Sequence, residues 1–287
     1  YVAVNSTFDS HIRVIYSTTE YVESIKDIKH NLAREALSLV GITKGGIDIV
    51  YMGDMLPAHA GSGLGASSSL TVGLLNALHA AKGESVSAET LAEEACKIEI
   101  ELLGRPIGKQ DQYAAAYGGF NYIRFNKDGS VLVEPIIFSE ETKNELAKKL
   151  LLFYTGLNTQ SDNTLIEQKE KTPDNLPILD NMVGLAEEMK KALMNNNLIE
   201  FGNILHQGWI YKQALASSIT NPTINGYYEQ AREAGAIGGK VLGSGGGGFL
   251  LLYCEEKNQN KVREALSELR EAPFSFEPEG SKIIYRA

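Results

Sequence analysis

Between a strand-like run and an apolar helix the chain carries Pro57-Ala58-His59-Ala60-Gly61-Ser62-Gly63-Leu64-Gly65-Ala66-Ser67-Ser68-Ser69, and no other segment narrows its fold as far. Ile47 to Met52 reads as the strand. Leu70 to Ala81 reads as a helix with almost no polar face, stopped by Gly83, and such a helix has to be buried. Glycines let backbone N–H groups approach a ligand closely. The N-terminus of the helix adds unpaired donors and the positive end of its dipole. Strand, glycine loop and buried helix together make a phosphate-binding arrangement; a serine-capped helix behind a flexible loop is the plainer alternative. The P-loop pattern fails because no Lys precedes the serines. Gly61, Gly63 and Ala66 satisfy the short dinucleotide pattern, but that fold needs a second strand with an acidic residue about 20 positions on. Here the helix is followed by another helix, Ala88 to Leu103, behind a Ser87 cap.

The rest of the first half reads as strands Tyr1 to Asn5 and His11 to Tyr16, a helix Asn31 to Val40, and a short helix Gln110 to Tyr117 that stops at Gly118-Gly119. Two strands then flank the turn Asn126-Lys127-Asp128-Gly129. From about Glu140 the texture changes. A charged helix precedes strand Leu150 to Thr155, helices cover most of Leu176 to Gly235, and strand Phe249 to Tyr253 leaves a glycine run. Helix Asn258 to Arg270 and closing strands follow. With 287 residues, 43% of them hydrophobic, the chain is long enough for two modest domains, expected at 1–145 and 146–287.

Three further places carry candidate chemistry. On a projection of 100° per residue, Leu91, Ala95, Ile98 and Leu102 define the core face of the 88–103 helix, and Glu99 falls inside that arc. A carboxylate aimed at the core is costly unless paired or bound to a metal. Glu99 therefore meets either a structural Arg or Lys, or Mg²⁺, which favours hard oxygen ligands. Asp111, in Gly108-Lys109-Gln110-Asp111-Gln112-Tyr113, stands in a first helical turn. It is either a dipole-compensating residue or a group that accepts the proton of an attacking hydroxyl. Lys240-Val241-Leu242-Gly243-Ser244-Gly245-Gly246-Gly247-Gly248 removes side chains where a ligand or another element comes close.

A net charge of −9 argues against nucleic-acid binding, which needs a basic patch. Cys96 and Cys254 sit in apolar surroundings without metal spacing and read as reduced, buried thiols of a cytoplasmic protein. No apolar run approaches the roughly 20 residues of a membrane span, so no membrane role is expected. The chain opens on Tyr1 and runs straight into a strand, so further sequence upstream is expected.

Taken together, the segments 57–69 and 240–248, about 180 residues apart and in that order, resemble the second and third motifs of the GHMP kinases. Within that class Gly-Leu-Leu-Asn-Ala-Leu (73–78), Glu-Glu-Ala-Cys-Lys-Ile-Glu (93–99) and Gly-Lys-Gln-Asp-Gln-Tyr-Ala-Ala-Ala-Tyr-Gly-Gly (108–119) are similar to bacterial heptose kinases. The resemblance implies an α+β fold of two domains, the second ferredoxin-like, with the site between them. It implies ATP and Mg²⁺ as cofactors and a sugar phosphate, D-glycero-D-manno-heptose 7-phosphate, as acceptor at its anomeric hydroxyl. Gly61, Ser62, Gly63, Leu64, Gly65, Ala66, Ser67 and Ser68 would wrap the ATP phosphates. Ser67 and Glu99 would hold Mg²⁺, Asp111 would serve as base or orienting carboxylate, and Gly245 and Gly246 would support the nucleotide from the second domain. Two departures stand out. The loop is two residues longer than usual around His59-Ala60, and Ala66 replaces the first serine of the family's pair, which leaves Ser67, Ser68 and Ser69 as candidates. The family's first motif would precede this chain. A kinase for another sugar such as fucose or galactose, and a non-catalytic ligand sensor, are the competing readings; a nicotinamide-dependent oxidoreductase fits less well. A homodimer is compatible with any of them.

Overall fold

The computed structural model describes residues 1–43, 45–53, 63–157 and 161–286. They fall into two compact units, Tyr1–Ala58 with Gly65–Gly119 and Glu277–Ala287, and His59–Leu64 with Phe120–Phe276.

In the first unit, strands β1 (Val2–Ser6), β2 (Ile12–Ile15) and β3 (Thr19–Val22) are followed by helix α1 (Asn31–Val40), strand β4 (Ile47–Tyr51) and helix α2 (Ala66–Ala81). Helix α3 (Ala88–Cys96) passes into a π-helical segment, Lys97–Leu102, and helix α4 (Gln110–Tyr117) follows. The sheet order is β1-β4-β2-β3. β4 pairs parallel with β2 in the register Ile12↔Ile47 and Val14↔Ile49, and all four of these side chains are buried. That alternation gives the sheet one apolar face. Helix α1 answers with a stripe of Leu32, Ala33, Ala36, Leu37 and Val40, the 3.6-residue period of an amphipathic helix. His30 caps it by accepting from the Ala33 N–H at 3.2 Å, and Gly41, with φ 77°, ends it in the left-handed region. Helix α2 buries Val72, Leu74, Leu75 and Leu78 completely. Each contributes about 1.5–3 kcal/mol, which anchors α2 and fixes where its N-terminus points.

The end of the chain returns to this unit. Gly119 N–H donates to Glu277 O at 2.8 Å, and Asn76 on α2 donates to Ser281 Oγ at 3.0 Å. A β-carbon on Gly280 would stand 1.9 Å from Ala116 O, so this return depends on glycine.

The second unit opens with the hairpin β5 (Asn121–Phe125) and β6 (Val131–Pro135). Helix α5 (Glu140–Lys149), strand β7 (Leu150–Tyr154), helices α6 (Ser161–Lys171), α7 (Leu176–Met194), α8 (Leu198–Gln213) and α9 (Pro222–Glu233) come next. Strands β8 (Gly238–Val241) and β9 (Phe249–Tyr253), helix α10 (Glu256–Ala265) and strand β10 (Arg270–Glu271) complete it. The sheet order is β10-β7-β9-β8 with every neighbour antiparallel. From β7 onward the strands follow the β-α-β-β-α-β plan, with the four helices α6–α9 in the first crossover and α10 in the second, and the strand order β10-β7-β9-β8 is the ferredoxin-like arrangement that the resemblance implied.

Several sequence expectations are adjusted. The change of texture near 140–150 lies inside the second unit, and the hairpin β5–β6 and helix α5 belong with the residues that follow them. Strand β8 has no sequence signal, because Gly238 and Gly239 run against strand propensity. They are needed there, since a β-carbon on Gly238 would meet Gly202 O of α8 at 1.9 Å. Helix α10 ends at Ala265, not Arg270, which lies in β10.

Candidate active site

The site is built around the first turn of α2. Gly65 has φ 65° and precedes the helix with no side-chain cap, so the leading N–H groups of Ala66, Ser67 and Ser68 have no intrahelical partner. The Ser67 hydroxyl donates to Glu99 Oε2 at 2.6 Å. Ser68 is buried, and Ser69 is exposed. Among the three candidate serines, Ser67 is the one that meets the carboxylate. Thr71 holds this turn by donating to Ser67 O at 3.0 Å.

Glu99 is fully buried and lies in the π-helical segment Lys97–Leu102. The Leu103 N–H reaches back to Ile98 O at 3.0 Å, an i→i+5 bond that widens the turn. The 100° projection holds as far as Ile98 and Glu99 and then fails. Leu102, expected on the core face, is 48% exposed because the wider turn rotates later residues away. The continuous helix expected from Ala88 to Leu103 is thus α-helical only to Cys96. Short π segments recur at functional sites.

Two partners of Glu99 were not foreseen. Arg105 Nη1 donates to Glu99 Oε2 at 2.8 Å and also to Ser67 Oγ, while Gln112 Nε2 donates to Glu99 Oε1 at 3.1 Å. Glu99 therefore has a cationic partner, the first of the two possibilities open from the sequence, and it shares that partner with Ser67. Nothing in Gly104-Arg105-Pro106 sets the arginine apart from a solvated helix-end residue. Gln112 is fully buried with its Oε1 lacking a hydrogen-bond partner.

Asp111 stands in the first turn of α4 and reaches the start of α2. A β-carbon on Gly65 would lie 3.4 Å from Asp111 Cγ. Asp111, Gly65, Ser67, Glu99, Arg105 and Gln112 thus form one neighbourhood in the first unit. The helix N-terminus is an anion-binding feature, and the carboxylates at its side supply hard oxygens and a proton acceptor. Among the described residues no three His, Cys, Asp or Glu side chains converge as a metal site. Ser67 Oγ and Glu99 suit magnesium, which completes its shell with water and phosphate oxygens, better than a metal needing three or four protein ligands.

The remaining candidates are placed differently. Gly61 and Ser62 lie outside the described residues, as does the His59-Ala60 insertion. Gly63, with φ 76°, packs in the second unit: a β-carbon there would meet Leu242 O at 2.6 Å, and one on Gly243 would meet Gly63 Cα at 2.4 Å. The two glycine segments touch backbone to backbone, so Gly63 has a packing role of its own. Leu64 follows within the same unit. Gly245 would press on Ile219 O at 2.6 Å, and Gly246 N–H donates to that same oxygen at 2.7 Å. The glycine run of 245–248 is thus closely approached by protein backbone. Cys96 and Cys254 are free and buried, and burial pushes the Cys96 thiol up to about 12. No helix among the described residues is long and apolar enough to cross a membrane.

Comparison with known proteins places the chain in a family. Residues 23–119 match the model of the GHMP kinases N terminal domain, and residues 189–272 match that of the GHMP kinases C terminal domain. The chain belongs to the GHMP kinase family. It is 31% identical over 227 residues to the D-glycero-alpha-D-manno-heptose 7-phosphate kinase of Campylobacter jejuni, covering 78% of this chain and 67% of that protein. It is 28% identical over 206 residues to the mevalonate kinase of Methanothermobacter thermautotrophicus, covering 68% and 61%. The chain thus spans about two thirds of these relatives' length. Among solved structures, a D-glycero-D-manno-heptose 1-phosphate kinase from Bacteroides thetaiotaomicron superposes with a TM-score of 0.75 at 26% identity, over 99% of this chain and 87% of that one.

Proposed function

We propose that this chain is an ATP-dependent sugar kinase that transfers the γ-phosphoryl group to the anomeric hydroxyl of a phosphorylated sugar, D-glycero-D-manno-heptose 7-phosphate. The observation that carries the reading is the convergence of Ser67, Glu99 and Asp111 on the first turn of α2. The 31% identity to a protein named as a heptose 7-phosphate kinase supports the choice of acceptor.

Phosphoryl transfer requires positioning and charge neutralisation more than covalent help. The N–H groups of Ala66, Ser67 and Ser68 would face phosphate oxygens of the nucleotide. Ser67 Oγ and Glu99 would hold Mg²⁺, which when bound neutralises charge on the phosphates. Asp111 would hold the acceptor hydroxyl and take its proton as the new O–P bond forms and the bond from the γ-phosphorus to ADP breaks. We place this reaction in the cytoplasm, where ATP and sugar phosphates are available.

The test is coupled ATP turnover on the heptose 7-phosphate, galactose, fucose and mevalonate, with phosphorus NMR of the product. Turnover on the heptose phosphate and a new sugar-1-phosphate coupling are expected. Preferred turnover of mevalonate, or phosphate on a primary hydroxyl, would reject the acceptor. Absence of nucleotide binding would reject the kinase reading and favour a different role for the fold.

A further inference from the structure

The two oxygen atoms best placed to hold a divalent cation are already held by a cation of the protein itself. Arg105 Nη1 lies 2.8 Å from Glu99 Oε2 and also donates to Ser67 Oγ, and those oxygens are 2.6 Å apart. A magnesium-sized ion bound to both at about 2.1 Å lies within about 4 Å of Nη1 from whichever side it enters. Two positive charges that close repel strongly where water is scarce. The guanidinium and the metal ion therefore exclude one another.

The surroundings decide which of the bonds can give way. Glu99 is sealed, with no exposed surface, and its Oε1 is fixed by Gln112. Ser67 is fixed within the helix by its own backbone and by Thr71. Arg105 is the open partner, its side chain 29% exposed. It follows Gly104, which has φ 64° and nothing within 4 Å of where a β-carbon would stand. A long, flexible side chain on the solvent side of a fixed carboxylate can leave without disturbing the core.

We propose that Arg105 is a displaceable counter-ion: it neutralises Glu99 in the nucleotide-free protein and is driven off when the divalent cation enters. This rests on the kinase reading above. The freed guanidinium needs a new anionic partner, and the phosphates of the nucleotide supply one. Metal and nucleotide then bind with positive coupling, because each removes a cost the other would meet alone, and the coupling is reciprocal. Arg105 acts here as a positioning residue, through Glu99.

The experiment is titration of the nucleotide-free protein with Mn²⁺ as probe, followed by electron paramagnetic resonance, in wild type, Arg105→Gln and Arg105→Lys. Loss of one charge-assisted competitor should tighten Mn²⁺ binding by about tenfold in Arg105→Gln, while Arg105→Lys, which keeps the charge, stays near wild type. The non-hydrolysable ATP analogue should strengthen Mn²⁺ binding in wild type and do so less in Arg105→Gln. Thermal unfolding of the same samples confirms that each variant is folded, and Arg105→Ala, which should tighten Mn²⁺ binding likewise and whose unchanged affinity would overturn the proposal, keeps the test open if Arg105→Gln is not. Unchanged or weaker Mn²⁺ affinity in folded Arg105→Gln, or tightening in Arg105→Lys equal to that in Arg105→Gln, would overturn the proposal. The kinase reading fails separately: wild type that binds Mn²⁺ but no nucleotide sinks that reading, while the nucleotide-free titration still decides the exchange.

Discussion

The carboxyl group of Asp111 rests against the backbone of Gly65, with a β-carbon on that glycine placed 3.4 Å from Asp111 Cγ and 3.5 Å from Oδ2. Gly65 also has φ 65°, so a side chain there meets two objections. The left-handed backbone costs about 1–2 kcal/mol for an L-residue, and the new methyl fills the space beside the carboxylate. Gly65→Ala should therefore lower stability by about that amount and lower turnover by more than stability explains. Activity that simply tracks the folded fraction at several temperatures would remove Gly65 from the site.

Asp111→Asn tests the carboxylate itself. A general base contributes about 10²–10⁴ in rate, so kcat should fall by at least two decades. ATP affinity should change little, because the residue addresses the acceptor. Equilibrium dialysis with labelled nucleotide separates the two quantities. A folded variant with near-normal kcat would show that Asp111 only compensates the α4 dipole.

Glu99→Gln separates the metal role of Glu99 from its ion pair with Arg105. Removing one member of a buried pair destabilises by about 3–5 kcal/mol. The partial exposure of Arg105 brings the expected cost to the lower end of that range. If Glu99 also serves Mg²⁺, the concentration of Mg²⁺ needed for half-maximal turnover rises in the same variant. A lower melting temperature with an unchanged metal requirement would leave the residue a purely structural role.

How much of this was legible beforehand differs from residue to residue. The burial of Glu99 followed from a 3.6-residue period that holds as far as that position. The exposure of Leu102 did not follow, because a π segment changes the angle per residue and leaves no compositional mark. The order of α2, α3 and α4 was readable from caps and stops such as Ser87 and the Gly118-Gly119 pair. Arg105 was invisible: its significance lies in a contact 38 residues away with Ser67, and no local pattern encodes such a distance. The glycines of 243–248 signal close approach by a ligand or another element without saying which; the protein groups that come close, Gly63, Ile219 and Leu157, belong to three separate stretches.

Tyr51 gives a prediction about stability alone. Its hydroxyl, at the end of β4, is buried without a hydrogen-bond partner, and burial pushes its ionisation well up. An unsatisfied buried hydroxyl costs roughly 1–3 kcal/mol. Tyr51→Phe keeps the ring, which packs on His30 at 5.1 Å between centroids, and drops the oxygen. The denaturant midpoint should stay level or rise. A clear fall would mean that the hydroxyl is satisfied in solution by a bound water or ligand.

The last prediction concerns pH. His79, buried near the end of α2, has a carboxylate at each ring nitrogen: Nδ1 lies 2.7 Å from Glu84 Oε2 and Nε2 lies 2.8 Å from Glu94 Oε2. A neutral imidazole has a single N–H to donate, so only the imidazolium satisfies both. Burial by itself would lower the ring's pKa; the hydrogen bonds that the ring donates to the two glutamates outweigh it and hold the value above the ordinary one. The folded pKa therefore exceeds the unfolded one, about 6.5. The stabilisation is fully present below about pH 6.5 and disappears as pH rises through the folded value. His79→Gln should accordingly destabilise the protein most at pH 6, by about 2 kcal/mol. That corresponds to roughly 4–8 °C in melting temperature, and the gap from wild type should close toward pH 9. Melting curves of both proteins at pH 6, 7, 8 and 9 decide the matter. A gap that stays constant across that range would show that His79 holds α2 and α3 together by packing and neutral hydrogen bonding, without the charge.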